Sequence, residues 1–415
     1  MSQFEVMIVG GGIGGLTLAL ELDRLGIRSR VFEAVSEPAP VGVGITVLPH
    51  ASRVLWDLGL ADALLARCLV TKESVFYNRF GQFVFREEVG TRAGVRWPQL
   101  SIHRGDLYRV LLDATLERLG PERVRFGHRM LRAWQDDKRA YAEFEAMSGN
   151  GGTVCVETAD AVIGADGIHS TLRRQFNPSE GEPLYQGINM WRGVTRWEPF
   201  LTGASMLRVG WYSSGKLTIY PCRPTGPDGR QLMNWIAALY TPRHLDRDWG
   251  RPGNLEDFLP TFSDWQFDFL DVPGVLSTAQ AVLEFPMVDQ EPLERWSFGK
   301  LTLLGDAAHP MVPRGSNGAG QAIVDCRVLA ESLAAARSVE DGLQAYEAIR
   351  RPATAEVVHR NRANPPDAIL REVWSRTGDR PFTSLESVIS QEELRALSEG
   401  YRDATGYSRR ALESA

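Results

Sequence analysis

At 415 residues, with 43% hydrophobic and 24% charged residues, the chain has the composition of a folded protein, which excludes a disordered chain and a membrane bundle. A formal net charge of −6 leaves no electrostatic footprint for a nucleic acid, and none is expected as a partner. The 40 glycines exceed the usual share of about 7% and, without a collagen period, belong to turns, loops or close backbone approaches.

Phe4 to Val9 is a short β-rich apolar run that meets Gly10-Gly11-Gly12-Ile13-Gly14-Gly15. Leu16, Leu18, Ala19, Leu20, Leu22 and Leu25 then recur with helical spacing up to Gly26, and Ser29 to Glu33 reads as a second strand. Strand, glycine turn, helix and strand make the first βαβ unit of a dinucleotide-binding fold. The glycines allow a tight turn, contact of the backbone with a pyrophosphate, and close packing of helix on strand. Glu33, at the end of the second strand, is placed to accept hydrogen bonds from a ribose diol and would repel a 2′-phosphate, which favours FAD or NAD over NADP at this site. The same segment is not a signal peptide, because it carries Glu5 and lacks a cationic n-region.

Further on, Ala51 to Leu65 and Leu107 to Leu119 read as helices, Ser74 to Arg86 as a hairpin broken at Gly81, and His128 to Glu157 as a meander turning near Asp136-Asp137 and Gly149-Asn150-Gly151-Gly152. From about 182 to 285 the chain alternates like an antiparallel sheet and is rich in tryptophan: Trp191, Trp197, Trp211, Trp235, Trp249 and Trp265. A buried-strand signal returns at Lys300 to Leu304, followed by Gly305-Asp306-Ala307-Ala308-His309 and a long helix from near Gly318. The tail beyond Arg351 is polar and mostly helical, with capping boxes expected at Thr383/Glu386 and Ser390/Glu393. The four cysteines, Cys68, Cys155, Cys222 and Cys326, form no CxxC, so no disulfide framework and no metal site are expected. No run approaches the roughly 18 apolar residues of a spanning helix, so no membrane partner is expected and the reading is a cytoplasmic protein.

Three more segments, Ile163-Gly164-Ala165-Asp166-Gly167-Ile168-His169-Ser170, Leu304-Gly305-Asp306-Ala307-Ala308-His309 and the Pro313 to Gly318 turn, combine with the glycine fingerprint in an order and spacing that resemble the single-component (group A) flavin-dependent aromatic hydroxylases of the para-hydroxybenzoate hydroxylase fold. Within that family the stretches Ser101-Ile102-His103-Arg104-Gly105, Met190-Trp191-Arg192-Gly193-Val194-Thr195, Pro286-Met287-Val288-Asp289 and Ser316-Asn317-Gly318-Ala319 are similar to the phenazine-carboxylate monooxygenases of pyocyanin biosynthesis.

The resemblance implies an α/β fold: a Rossmann-like FAD-binding domain (1–73, 100–181 and 286–350), an inserted antiparallel-sheet substrate domain (74–99 and 182–285), and a C-terminal helical region (351–415). It implies bound FAD, NADH or NADPH as a transient reductant, O2 as co-substrate, and hydroxylation of a small, anionic aromatic or heteroaromatic ring through a flavin C4a-hydroperoxide, with or without decarboxylation, in a monomer or homodimer. Residue by residue, Gly10, Gly12, Gly14 and Gly15 fall at the pyrophosphate turn, Glu33 at the adenosine ribose, Arg104 at the phosphate and ribityl region, and Met130 where backbone meets adenine. Asp166 and Gly305-Asp306 fall beside the flavin chain, Gly44 among the cofactor-binding residues, and Gly315, Asn317 and Gly318 at the flavin turn. Trp191, Tyr220 and Trp235 are implied as pocket walls. No residue identifies itself as a base: His309 is the candidate by position, with a satisfied structural histidine as the other reading, while Pro313 is a pocket wall and Arg314 a departure from the family that would meet an anionic group on the substrate or a loop-closing carboxylate. An FAD-dependent dehydrogenase or oxidase without oxygen insertion is the alternative, sharing the first turn but not the three later segments. A flavin halogenase would carry a WxWxIP segment, which is missing.

Overall fold

A computed structural model describes residues 4–37, 42–148, 151–242 and 251–413. Trp249 and the turn residues Gly149 and Asn150 lie outside these. The first strand, Glu5–Val9, is buried along nearly its whole length and sits centrally in a six-stranded sheet. In order, the strands are Ser297–Phe298, Leu301–Leu303, Ala161–Gly164, Glu5–Val9, Arg28–Phe32 and Val124–Arg125. The neighbours run parallel apart from the edge hairpin of Ser297–Phe298 with Leu301–Leu303. A parallel strand is covered on both faces, which is why Val6, Met7 and Ile8 form an unbroken apolar run with no exposure. The helices Ile13–Arg24, Arg104–Leu119 and Gly318–Ala335 pack together against this sheet.

A seven-stranded sheet forms the second layer, in the order Val282–Asp289, Leu184–Trp197, Gln231–Tyr240, Lys216–Arg223, Ser205–Gly210, Glu73–Tyr77 and Phe83–Glu88. It is antiparallel except where Ser205–Gly210 runs beside Glu73–Tyr77. The mixed α/β class with a Rossmann-like sheet, antiparallel sheets and C-terminal helices is thus the one observed. Between the layers lies a small sheet of Gly44–Val47, Leu100–His103 and Leu69–Val70. There the Gly44 amide donates to Asn234 Oδ1 (2.8 Å), and a Cβ on Gly44 would lie 2.5 Å from Asn234 Cβ, so glycine lets the two layers touch.

The structure corrects several expected boundaries. The helix expected over Ala51–Leu65 divides at Gly59 (φ +73°) into Pro49–Asp57 and Ala61–Leu65. The domain limit at 285/286 cuts the strand Val282–Asp289, which pairs with Leu184–Trp197, and the limit at 350/351 cuts the helix Val339–Ala363. Of the two capping boxes, Ser390/Glu393 is formed at the start of Gln391–Ala404. Thr383/Glu386 is not, because the short turn Leu385–Ser387 begins after Ser384 without a side-chain cap.

Candidate active site

The glycine turn is shaped for close approach. Gly10 has φ +107°, and a Cβ there would fall 2.3 Å from the Ala165 carbonyl oxygen, while a Cβ on Gly15 would fall 1.9 Å from the Gly10 oxygen. Gly12 faces open space, and a Cβ on Gly14 would only touch Leu304 at 3.0 Å. Glu33 holds the turn, its Oε2 accepting from the Gly11 amide (2.6 Å) and its Oε1 from that of Val35 (3.0 Å). Arg104, at the start of Arg104–Leu119, is exposed, and its guanidinium has no hydrogen bond or ion pair among the described residues. Asp166 lies against Gly10. Its Oδ2 accepts from the Thr171 amide (2.8 Å), its buried Oδ1 has no hydrogen-bond partner among the described residues, and burial raises its carboxyl above the ordinary value. Met130 sends its side chain into the core, so only its backbone faces outward, on a strand joined to the turn by the His128 amide donating to the Glu33 carbonyl.

The second element is the turn Pro313–Gly318, with Gly315 (φ +71°) and Ser316 (φ 59°) both left-handed. Gly305 (φ +63°) turns the chain so that Asp306 approaches the start of Gly318–Ala335, its Oδ1 lying 3.8 Å from where a Gly318 Cβ would be. His309 does not face this turn. Its Nε2 meets Asp325 Oδ2 (2.5 Å) and its ring packs on Trp296 (centroids 5.5 Å), with 3% exposure. The candidate base is therefore an interior residue of a polar network that continues from Asp325 to Arg350 Nε (2.6 Å) and from Arg350 to Gln321 Oε1 (2.6 Å).

The seven-stranded sheet supplies the third element, and its pleat sorts residues onto two faces. Trp191 and Trp235, expected as pocket walls, point to the face turned away from the nucleotide-binding layer. Trp191 stacks on Phe258 (5.2 Å), and Trp235 Nε1 donates to Thr195 Oγ1 (3.1 Å) within a cluster of Leu207, Leu217, Ile219 and Phe262. Tyr220 alone of the three lies on the inner face, where burial pushes its hydroxyl up to about 12. Beside it is Arg192, half-buried, which feels Tyr220 and Arg104; desolvation lowers its pKa. Asn234, with its contact to Gly44, shares this face.

Sequence reasoning missed Arg192, although it adjoins Trp191 in a segment that carried the family likeness; one step along a strand reverses the face. It also missed Arg208 and Lys216. Lys216 Nζ donates to the buried Asp367, and Arg208 Nε stands 3.8 Å from the same carboxylate. Arg314 completes this group, its guanidinium 5.1 Å over the Tyr212 ring and its Nη1 donating to the Asn361 carbonyl (3.3 Å). Burial alone would raise the Asp367 carboxyl, yet Lys216, Arg208 and Arg314 together hold it below its ordinary value.

A family model described as "FAD binding domain" matches residues 3–241 and 271–361. The chain is 41% identical over 394 residues to phenazine 1,6-dicarboxylic acid hydroxylase PhzS of Lysobacter antibioticus (94% of this chain, 96% of the relative). It is 34% identical over 367 residues to the 3-amino-4-hydroxybenzoate 2-monooxygenase PtnB3 of Streptomyces platensis (86% and 87%). Its fold is that of an HpxO variant from Klebsiella pneumoniae solved with FAD, with a TM-score of 0.77 at 24% identity, covering 97% of this chain and 98% of the other. With this family match and these relatives, the chain belongs to the FAD-binding group A monooxygenases and is a flavin-dependent aromatic hydroxylase.

Proposed function

We propose that the substrate is an anionic aromatic or heteroaromatic acid, hydroxylated at the expense of NADH or NADPH and O2. The observation that carries this reading is the charge balance between the inner sheet face and the flavin turn, where three cations, Arg208, Lys216 and Arg314, converge on the single buried carboxylate of Asp367. An excess of buried positive charge is costly unless an anion completes it, and guanidinium groups match a carboxylate's two oxygens. The two relatives named above are named for a phenazine dicarboxylic acid and an aminohydroxybenzoate, both aromatic acids.

The residues present fit FAD. The open approach at Gly12, the free guanidinium of Arg104 and the orphaned Oδ1 of Asp166 provide backbone, cation and acceptor for a dinucleotide. Gly10, Gly12, Gly14 and Gly15 would hold the pyrophosphate, with Glu33 at the ribose and Arg104, Asp166 and Asp306 along the chain to the flavin. Gly315, Asn317 and Gly318 would meet the ring. Bound FAD supplies the oxygen-activating chemistry once reduced. A single dinucleotide fingerprint supports a pyridine nucleotide that visits rather than stays. Arg192 and Arg208 orient the substrate's anionic group, and the buried sheet face excludes water. Tyr220, with its hydroxyl near 12, stays protonated at neutral pH and donates a hydrogen bond to a ring substituent; it does not act as a base.

The test is a panel of aromatic acids and their neutral amides, followed by NADH and NADPH oxidation, product mass and CO2 release. The expected result is one oxygen gained from an acid and none from its amide, and CO2 release separates decarboxylative from simple hydroxylation. Equal turnover of acid and amide would overturn the anionic reading.

A further inference from the structure

Asparagine is among the best residues for capping a helix, because its side-chain oxygen accepts from amides in the first turn. Asn317 precedes the helix Gly318–Ala335, yet it makes no side-chain cap. Its Nδ2 donates to the Tyr401 hydroxyl (2.8 Å), and Gln321 Nε2 lies 3.5 Å from its Oδ1. The Tyr401 hydroxyl donates onward to Asn361 Oδ1 (2.6 Å), and Gln321 Nε2 also approaches the Thr405 carbonyl (3.4 Å). Gly315 leaves room for that hydroxyl and no more, since a Cβ there would fall 1.9 Å from it.

Tyr401 lies on the helix Gln391–Ala404, beyond residue 361 where the family match ends. The same helix is anchored to the substrate sheet, because Ser398 donates to Glu87 and Arg402 pairs with it at 3.7 Å.

We infer that Tyr401 is a positioning residue of the flavin site: by holding the Asn317 side chain away from the helix start, it keeps the first-turn amides of Gly318–Ala335 uncapped and free to meet the electron-rich edge of reduced flavin. Uncapped amides at a helix start carry the positive end of the helix dipole, so they favour the reduced, anionic flavin over the oxidised one. Without the hydroxyl, Asn317 is released to cap the helix itself, and the site loses part of that preference. The inference rests on the turn Pro313–Gly318 being the flavin turn, and it is independent of which substrate is hydroxylated.

The test is Tyr401→Phe, which keeps the ring and removes the hydroxyl, with Asn317→Ser as a second route that leaves the C-terminal helix intact. FAD is titrated into apoprotein by flavin fluorescence, and the midpoint potential of the bound flavin is measured. The expected result for Tyr401→Phe is FAD binding about tenfold weaker for the reduced form relative to the oxidised form, which is a midpoint about 30 mV more negative. Asn317→Ser is expected to add nothing to Tyr401→Phe in the double variant. A variant that melts earlier but keeps the wild-type potential shows a packing role alone and overturns the inference, as does full additivity of the two substitutions. Wild-type apoprotein that binds no FAD would overturn the flavin-turn reading itself, a result separate from an unchanged potential in a protein that binds FAD.

Discussion

The two faces of the seven-stranded sheet are built from alternate residues of the same strands, and they differ in everything but backbone. On the outer face Trp191, Trp235, Leu207, Val209, Leu217 and Ile219 meet Phe258, Phe262 and Trp265 in a cluster without a charged member among the described residues. On the inner face Arg192, Arg208, Lys216, Tyr220 and Asn234 carry charge and hydrogen-bonding groups toward the nucleotide-binding layer and the C-terminal helices. The outer face supplies stability through apolar burial, and the inner face places polar groups whose worth depends on a ligand. Aromatic content is thus a poor guide to where the chemistry lies in this sheet.

The largest effect expected from this division is Trp235→Ala, which removes a fully buried indole and is expected to cost about 3–5 kcal/mol in urea unfolding. The folded fraction should keep kcat/KM within about threefold. Lost activity at full stability would break the division. Next is Arg192→Met, expected to lower kcat/KM by about 100-fold, near 2.7 kcal/mol, with stability little changed because the charge removed is only half-buried and desolvated. Steady-state kinetics beside a thermal melt checks both halves.

A third prediction uses pH, at a buried histidine that lies outside the outer cluster. His50, buried against Tyr407 with neither ring nitrogen hydrogen-bonded among the described residues, is lowered to about 3 by burial and then by Arg350. Its folded form therefore binds fewer protons than the unfolded chain between pH 3 and 6.5. Stability from this group is complete above about pH 6.5 and falls as the pH drops, by about 2 kcal/mol at pH 5. His50→Leu should remove that part of the difference between urea unfolding at pH 7.5 and pH 5. The smallest effect is Tyr220→Phe, expected to cost about tenfold in kcat/KM with a flat profile through neutral pH, since the hydroxyl near 12 does not titrate there. A pH limb seen in the wild-type profile and lost in the variant would show that Tyr220 carries a proton in turnover.

Much of the nucleotide half was legible in the sequence because its determinants are local. Gly10, Gly15 and Glu33 lie within one βαβ unit, and their spacing alone carries the geometry. The substrate half was legible as a sheet but not as a site. Which face Trp191 or Arg192 presents depends on partners such as Phe258 and Tyr220, far away in the chain. His309 turns inward for a similar reason: its place before the Pro313–Gly318 turn says nothing of Asp325, which fixes the ring. The convergence of Arg208, Lys216 and Arg314 on Asp367 brings together three separate stretches of chain, two of them more than 150 residues from the aspartate, through one hydrogen bond and charge attraction that no spacing rule anticipates.

The Gly44 to Asn234 contact bears on how such an enzyme can be altered. Because the outer face maintains the sheet, Arg192, Arg208 and Tyr220 form a panel of inner-face positions that libraries can vary without rebuilding the fold. Asn234 stands apart from that freedom: its carbonyl is bonded to the Gly44 amide and its Cβ leaves room only for glycine opposite. Variation there would disturb the small sheet of Gly44–Val47 together with the seven-stranded sheet, so evolvability on this face stops at the seam between the two layers.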